Sequence, residues 1–241
     1  MKSHIHLILG IVLLSFSLLS CSQPKDASKV DPKDIVSEYY IDYDTDTKIL
    51  SVIAEFRAGT TYLTLDKGAY VSWDGELLEM ALDSEINYIY YKLSKNITSD
   101  NELYTTHLFT YRNHEEKLFT HQITIPSVVD YSVTERTPVT LRMAWQIPDQ
   151  IAADGLMVTT KKKLNSTIIK IDDFFIATEA TQNSGTFFVP NSIVEKYGPG
   201  AAVDITVCRK RRFDLAEGTA GTGFLLARNC GKTISTTIPK E

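Results

Sequence analysis

The chain has 241 residues with 30 acidic and 25 basic side chains, a formal net charge of −5, and this mildly acidic balance gives no support to a nucleic-acid partner, which needs a basic face. The length allows one or two domains at ~100–200 residues each. Twelve Tyr and ten Phe, together with many Thr, Val and Ile, favour strands over helices.

The first feature in chain order is an apolar run from Ile5 to Leu19, preceded by one cation, Lys2, and followed by the small Ser20 and then Cys21. That is the layout of a secretory signal peptide over residues 1–20. At ~15 residues the run is shorter than the ~20 that a bilayer-spanning helix needs. Leu18-Leu19-Ser20-Cys21 resembles the lipobox of bacterial lipoproteins. The resemblance covers residues 1–21 and implies that Cys21 is the lipidated first residue of a membrane-anchored protein. Ser22 stands where an aspartate would signal inner-membrane retention in enteric bacteria, so in a Gram-negative source the same resemblance implies the outer membrane. From Ser22 to about Lys33 the chain is polar, Pro-bearing and without periodicity. Residues 21–33 therefore read as the lipidated terminus and a flexible tether.

Short β-branched and aromatic runs then alternate with turn residues. Val36–Tyr43 is a first strand, and Asp44–Thr47 turns into Ile49–Phe56, where Leu50, Val52, Ala54 and Phe56 share one face. Tyr62–Leu65 follows. Asp74-Gly75 between Val71 and Leu77 is a strong hairpin signal. Ile86–Leu93, Leu103–Tyr111 and Leu118–Ile125 complete about seven or eight strands, an immunoglobulin-sized unit over residues 34–127. Val128 to Thr137 reads as a connection, with Thr137-Pro138 as the boundary signal. The second unit, residues 128–241, has strands at Val139–Ile147, Leu156–Thr160, Ile168–Ile171, Phe174–Thr178, Thr186–Val189, Val203–Phe213, Gly223–Arg228 and Thr233–Ile238. One helical turn, Ser192–Tyr197, has Asn191 as N-cap and Gly198 as its stop. The expected fold is all-β, two tandem immunoglobulin-like sandwiches. The segment from Gly185 to Val207 is similar to the later strands of Ig-like modules in bacterial surface lipoproteins.

With Cys21 assigned to lipid, Cys208 and Cys230 remain as a pair in an oxidising compartment, which predicts a disulfide. Pairing Val203–Phe213 antiparallel with the following strand so that Phe213 meets Leu225 sets Cys208 opposite Cys230. His107, His114 and His121 recur across one hairpin. A turn centred on His114 would set His107 opposite His121, but His114 is then too far along the strand to share an ion with them. No metal site is expected. Asp42, Asp44 and Asp46 open like an EF-hand loop, yet Thr47 and Ile53 stand where that loop requires glycine and glutamate. Lys161–Lys163 and Arg209–Arg212 read as solvated edge charges or as a contact for an acidic partner.

Tyr39, Tyr40, Tyr43, Tyr88, Tyr90 and Tyr91 make the first unit rich in tyrosine and form the candidate binding surface. The sequence contains no Gly-x-Ser-x-Gly, His-Glu-x-x-His or Walker-type motif, and no catalytic residue or cofactor is assigned. The resulting expectation is a non-enzymatic envelope lipoprotein, a binding or structural module whose partners are the membrane, through its lipid, and an envelope protein or glycan. The alternative is a carbohydrate-directed protein, either a glycan-binding module or a hydrolase using paired carboxylates.

Overall fold

A computed structural model describes residues 23–148, 155–164, 167–177, 183–215 and 223–240. The signal segment and Cys21 lie outside the described residues. The chain is all-β. Its strands are β1 (Lys25–Asp26), β2 (Val36–Asp44), β3 (Ile49–Ala58), β4 (Thr61–Thr64), β5 (Tyr70–Trp73), β6 (Glu76–Leu77), β7 (Glu79–Asp83), β8 (Tyr88–Asn96), β9 (Thr106–Arg112) and β10 (Leu118–Thr124) in the first half. The second half has β11 (Asp130–Arg136), β12 (Leu141–Gln146), β13 (Gly155–Leu164), β14 (Thr167–Ala177), β15 (Ser184–Phe188), β16 (Ala202–Leu215), β17 (Gly223–Cys230) and β18 (Ile234–Thr237). One short helix, α1 (Asn191–Tyr197), precedes β16.

Period-two alternation builds two sandwiches around two apolar cores. Tyr39 and Ile41 of β2, Val52, Ala54 and Phe56 of β3, and Phe109 and Tyr111 of β9 fill the first. Met143 and Trp145 of β12, Val158 of β13, Ile205 and Val207 of β16, and Val194 of α1 fill the second. A four-stranded sheet, β10-β9-β5-β6, covers the first core, and a three-stranded sheet, β11-β12-β15, covers the second. The opposite wall of both is a single eleven-stranded sheet. β17 makes it continuous by pairing in parallel with β2, from Gly223 beside Ser37 to Cys230 beside Asp44. The end of the β16–β17 hairpin thereby places Leu225 and Ala227 in the first core, with Phe213 and Leu215 packed against it.

Several expectations need correction. The segment read as a tether is docked from Lys25 onward: β1 pairs in parallel with β4, Ala27 is fully buried, and Ser28 donates from its backbone nitrogen and its hydroxyl to Asp66 at 2.9 and 2.5 Å. The edge of β4 offers ladder groups that a short polar strand can use without any hydrophobic pattern. Residues 130–136, read as connection, are β11, and Thr137-Pro138 lies in the turn to β12, where the Thr137 N–H donates to the Thr140 carbonyl at 2.8 Å. The chain crosses between cores at Pro126–Ser127, which are buried. There Asn229 donates to the Pro126 carbonyl at 2.8 Å and the buried Arg209 donates to Ser127 Oγ at 2.6 Å. At α1 the N-cap position falls to Pro190 and not to Asn191, which is the first helical residue, and Gly198 takes the positive φ of 80° that ends the helix.

Candidate functional site on the open sheet face

β2 and β3 are joined by a four-residue turn that sets Asp44 opposite Ile49, and each step back along the hairpin then fixes a pair. Odd-numbered residues of β2 and even-numbered residues of β3 enter the core. The other parity faces away from both cores and sets Glu38 opposite Glu55, with Tyr40 opposite Ile53. β8 adds Tyr88 and Tyr90 to this face, β4 adds Tyr62 opposite Arg57, and β17 adds Phe224 beside Glu38.

Alternation also corrects the tyrosine set. Tyr39, Tyr43 and Tyr91 are core residues, 0%, 2% and 5% exposed, so they form no surface. Tyr40, Tyr88 and Tyr90 are half-buried on the open face. Their rings lie close together: Tyr88 stacks on Tyr90 with centroids 4.9 Å apart, Tyr62 meets Tyr88 edge-on at 5.0 Å, and Tyr40 meets Phe224 at 5.4 Å. The Arg212 guanidinium sits 4.2 Å above the Phe224 ring.

Two carboxylates that no sequence motif marks, Glu38 and Glu55, join this candidate site. Glu38 is 8% and Glu55 9% exposed. Tyr40 donates to Glu38 Oε2 at 2.9 Å, Arg57 pairs with Glu38 Oε1, and the Tyr88 hydroxyl donates to Glu55 Oε1. Burial raises the Glu55 carboxyl above the usual glutamate range and the Glu38 charge adds to this, against the Tyr88 hydrogen bond and Arg57. Burial likewise pushes the Tyr40 and Tyr88 phenols up. The signal was present in the sequence, because a four-residue turn at Thr45–Lys48 computes the Glu38–Glu55 opposition directly.

Cys208 and Cys230 are bonded, with Cα atoms 3.9 Å apart, in the expected register with Phe213 opposite Leu225. The histidine register is two residues off: His107 opposes Ile123 and His121 opposes Phe109. Asn113 moves the turn centre to Glu115, its Oδ1 accepting from the Glu115 and Lys117 N–H groups at 3.0 and 2.9 Å, while Glu116 takes the positive φ of 67°. His107 stacks on Trp73 at 4.7 Å. Its Nδ1 lies 2.7 Å from Asp74 Oδ2 and its Nε2 3.1 Å from the Leu103 carbonyl. Both ring nitrogens are thus engaged within the fold, by a carboxylate and by a backbone carbonyl. Burial lowers His121.

Two of the three aspartates, Asp42 and Asp46, bond across the seam between the halves, and Asp44 serves its own turn. Arg228 donates to both oxygens of Asp42 at 2.6 and 3.0 Å, and Asp46 Oδ2 accepts from the Thr233 N–H at 2.9 Å. Asp44 Oδ1 accepts from the Asp46 N–H at 2.9 Å. Among the described residues, no three His, Cys, Asp or Glu side chains gather as a metal cluster. The basic runs alternate as strands require: Arg209 is buried, whereas Lys210 lies 5.5 Å over Phe175.

No protein-family model and no curated protein matches the chain. Among solved structures, the chain is similar to the FN1-FN3 domains of chicken CNTN1, with 13% identity and a TM-score of 0.32 over 91% of this chain and 66% of that one. It is similar also to the Yersinia pseudotuberculosis adhesin InvE, with 12% identity and a TM-score of 0.25 over 86% of this chain and 59% of that one. The chain spans less than two thirds of either, and the all-β assignment rests on its own strands.

Proposed function

We propose that the protein is a non-enzymatic module of the cell envelope, tethered to the membrane through lipid on Cys21 and engaging its ligand with the open face around Tyr40, Tyr88 and Tyr90. The observation that carries this reading is that face: aromatic rings, two carboxylates and a guanidinium gathered on the side of the sheet turned away from both cores. Aromatic and arginine side chains are the residue types enriched at interfaces. The lipobox residues support the anchor. In a Gram-negative source the protein is held at the outer membrane. Its partner is an envelope protein or a glycan.

Two measurements test the reading. Cys21→Ala should shift the protein from the membrane fraction to the soluble fraction, and an unchanged distribution defeats the anchor. A photoreactive residue at Tyr90 should form a defined adduct in the native envelope that disappears when Phe224 is changed to Ala. Adducts that survive this change defeat the role of the face.

A carbohydrate-directed activity is the second reading, and the Glu38–Glu55 opposition favours it. Directly opposed residues hold their Cβ atoms ~4.5–5.5 Å apart, near the ~5–5.5 Å carboxyl separation of retaining glycosidases. Release of new reducing ends from envelope polysaccharide, lost in both Glu38→Gln and Glu55→Gln, would establish hydrolysis. Binding without release would leave a glycan-binding module.

A further inference from the structure

The geometry points to a cationic side chain, arginine or lysine, of a protein partner as the group that docks between Glu55 and the rings of Tyr62, Tyr88 and Tyr90. This rests on the binding-module reading and names its ligand chemistry. Glu38 and Glu55 are opposed and nearly buried, and the guanidinium of Arg57 is bonded to Glu38. Glu55 is met by the neutral hydroxyl of Tyr88. The pair thus carries one more negative than positive charge at a place where water has largely been removed, and a desolvated anion gains most from an incoming cation. The direction in which the Glu55 carboxyl is shifted, with burial first and Glu38 second among the charge-disfavouring causes, agrees with an unmet demand for positive charge.

The Tyr88 ring lies 5.0 Å from Tyr62 and 4.9 Å from Tyr90, and a cation within about 6 Å of a ring face is attracted by its quadrupole. The same sheet face already holds such a pair of its own, with Arg212 at 4.2 Å over Phe224. A guanidinium combines ring stacking with two parallel hydrogen bonds to a carboxylate, which a neutral sugar hydroxyl does not. The neighbouring cation on this face is Lys92, which opposes Ile53 and Glu79. The site lies on an open sheet face, which suits a side chain presented by another protein.

The test uses the full-length protein in detergent micelles and two fluorescent decapeptides, one alternating arginine with serine and one with citrulline, its neutral isostere, in place of arginine. Anisotropy titration should show the arginine peptide binding about tenfold or more tighter than the citrulline peptide, a ratio in line with a charge-assisted hydrogen bond. Glu55→Gln should lose the same factor while retaining the wild-type circular dichroism spectrum. Tyr90→Leu should weaken binding severalfold, and Asp130→Asn, on the other sheet, should leave it unchanged. Equal affinity for the two peptides, or an arginine affinity that falls as much in Asp130→Asn as in Glu55→Gln, overturns the inference. If the Tyr90 photoadduct forms in the wild-type protein and is lost in Phe224→Ala while the arginine peptide fails to bind, the module reading stands and the cation inference falls.

Discussion

At the scale of single residues, Asp74 and Glu55 illustrate opposite uses of a carboxylate. Asp74 opens the β5–β6 turn at φ 50°, followed by Gly75 at φ 84°, which is the type I′ geometry that Asp-Gly favours. Its Oδ1 also accepts from the Leu108 N–H at 2.8 Å, and its Oδ2 holds His107. Asp74→Ala removes both bonds and puts at φ 50° a residue that tolerates the left-handed region less well than aspartate, so the folded state should lose about 2–4 kcal/mol in urea titration. Glu55 is the reverse case. Its carboxyl is raised in the folded state, so the native protein takes up this proton more readily than the unfolded chain. The contribution is favourable below the ordinary glutamate range and is lost as pH rises through that range to the raised folded value. Glu55→Gln should therefore be more stable than wild type at neutral pH and should flatten that part of the melting temperature against pH. A parallel displacement of the two curves would refute the assignment.

At the scale of elements, the β16–β17 hairpin has the most to hold. Its base carries the disulfide, and beside it the Cys230 carbonyl accepts from the Thr45 N–H and hydroxyl at 3.3 and 2.5 Å. The bond closes a loop with a sequence separation of 22, and by chain entropy such a closure stabilises by about 3 kcal/mol. The double variant Cys208→Ser, Cys230→Ser should lower the urea midpoint by a corresponding amount, and an unchanged midpoint would assign the bond no stabilising role.

At the scale of the whole molecule, the parallel seam between β2 and β17 makes two sandwiches share one sheet. Gly223 is essential there because backbone passes against backbone: a Cβ at this position would lie 1.8 Å from the Ser37 carbonyl oxygen, well inside van der Waals contact. Wild-type protein should unfold in one calorimetric transition, since the first core borrows Leu225 and Ala227 from the second half across the seam. Gly223→Ala should open the seam and split the transition in two. A single transition at an unchanged temperature would show that the seam does not couple the cores.

Much was determined by local sequence. Alternation in Ile49–Phe56 specified which face is buried, Asp74-Gly75 specified its hairpin, and the apolar pattern of β16 and β17 specified the register that opposes Cys208 and Cys230. The turn at Thr45–Lys48 likewise contained the Glu38–Glu55 opposition. What depended on distant contacts was not legible. Polar residues 25–34 dock because β4 presents a free edge, not because of any pattern of their own. Asn113 moved the β9–β10 turn by accepting two N–H groups, and the histidine facing moved with it. The partition of the tyrosines followed strand parity, but their grouping around Glu55 required β4, β8 and β17 to be brought beside β2 and β3. Hydrogen-bond ladders are blind to sequence distance, so only the tertiary structure decided which strands would meet and that the two sandwiches would share a sheet.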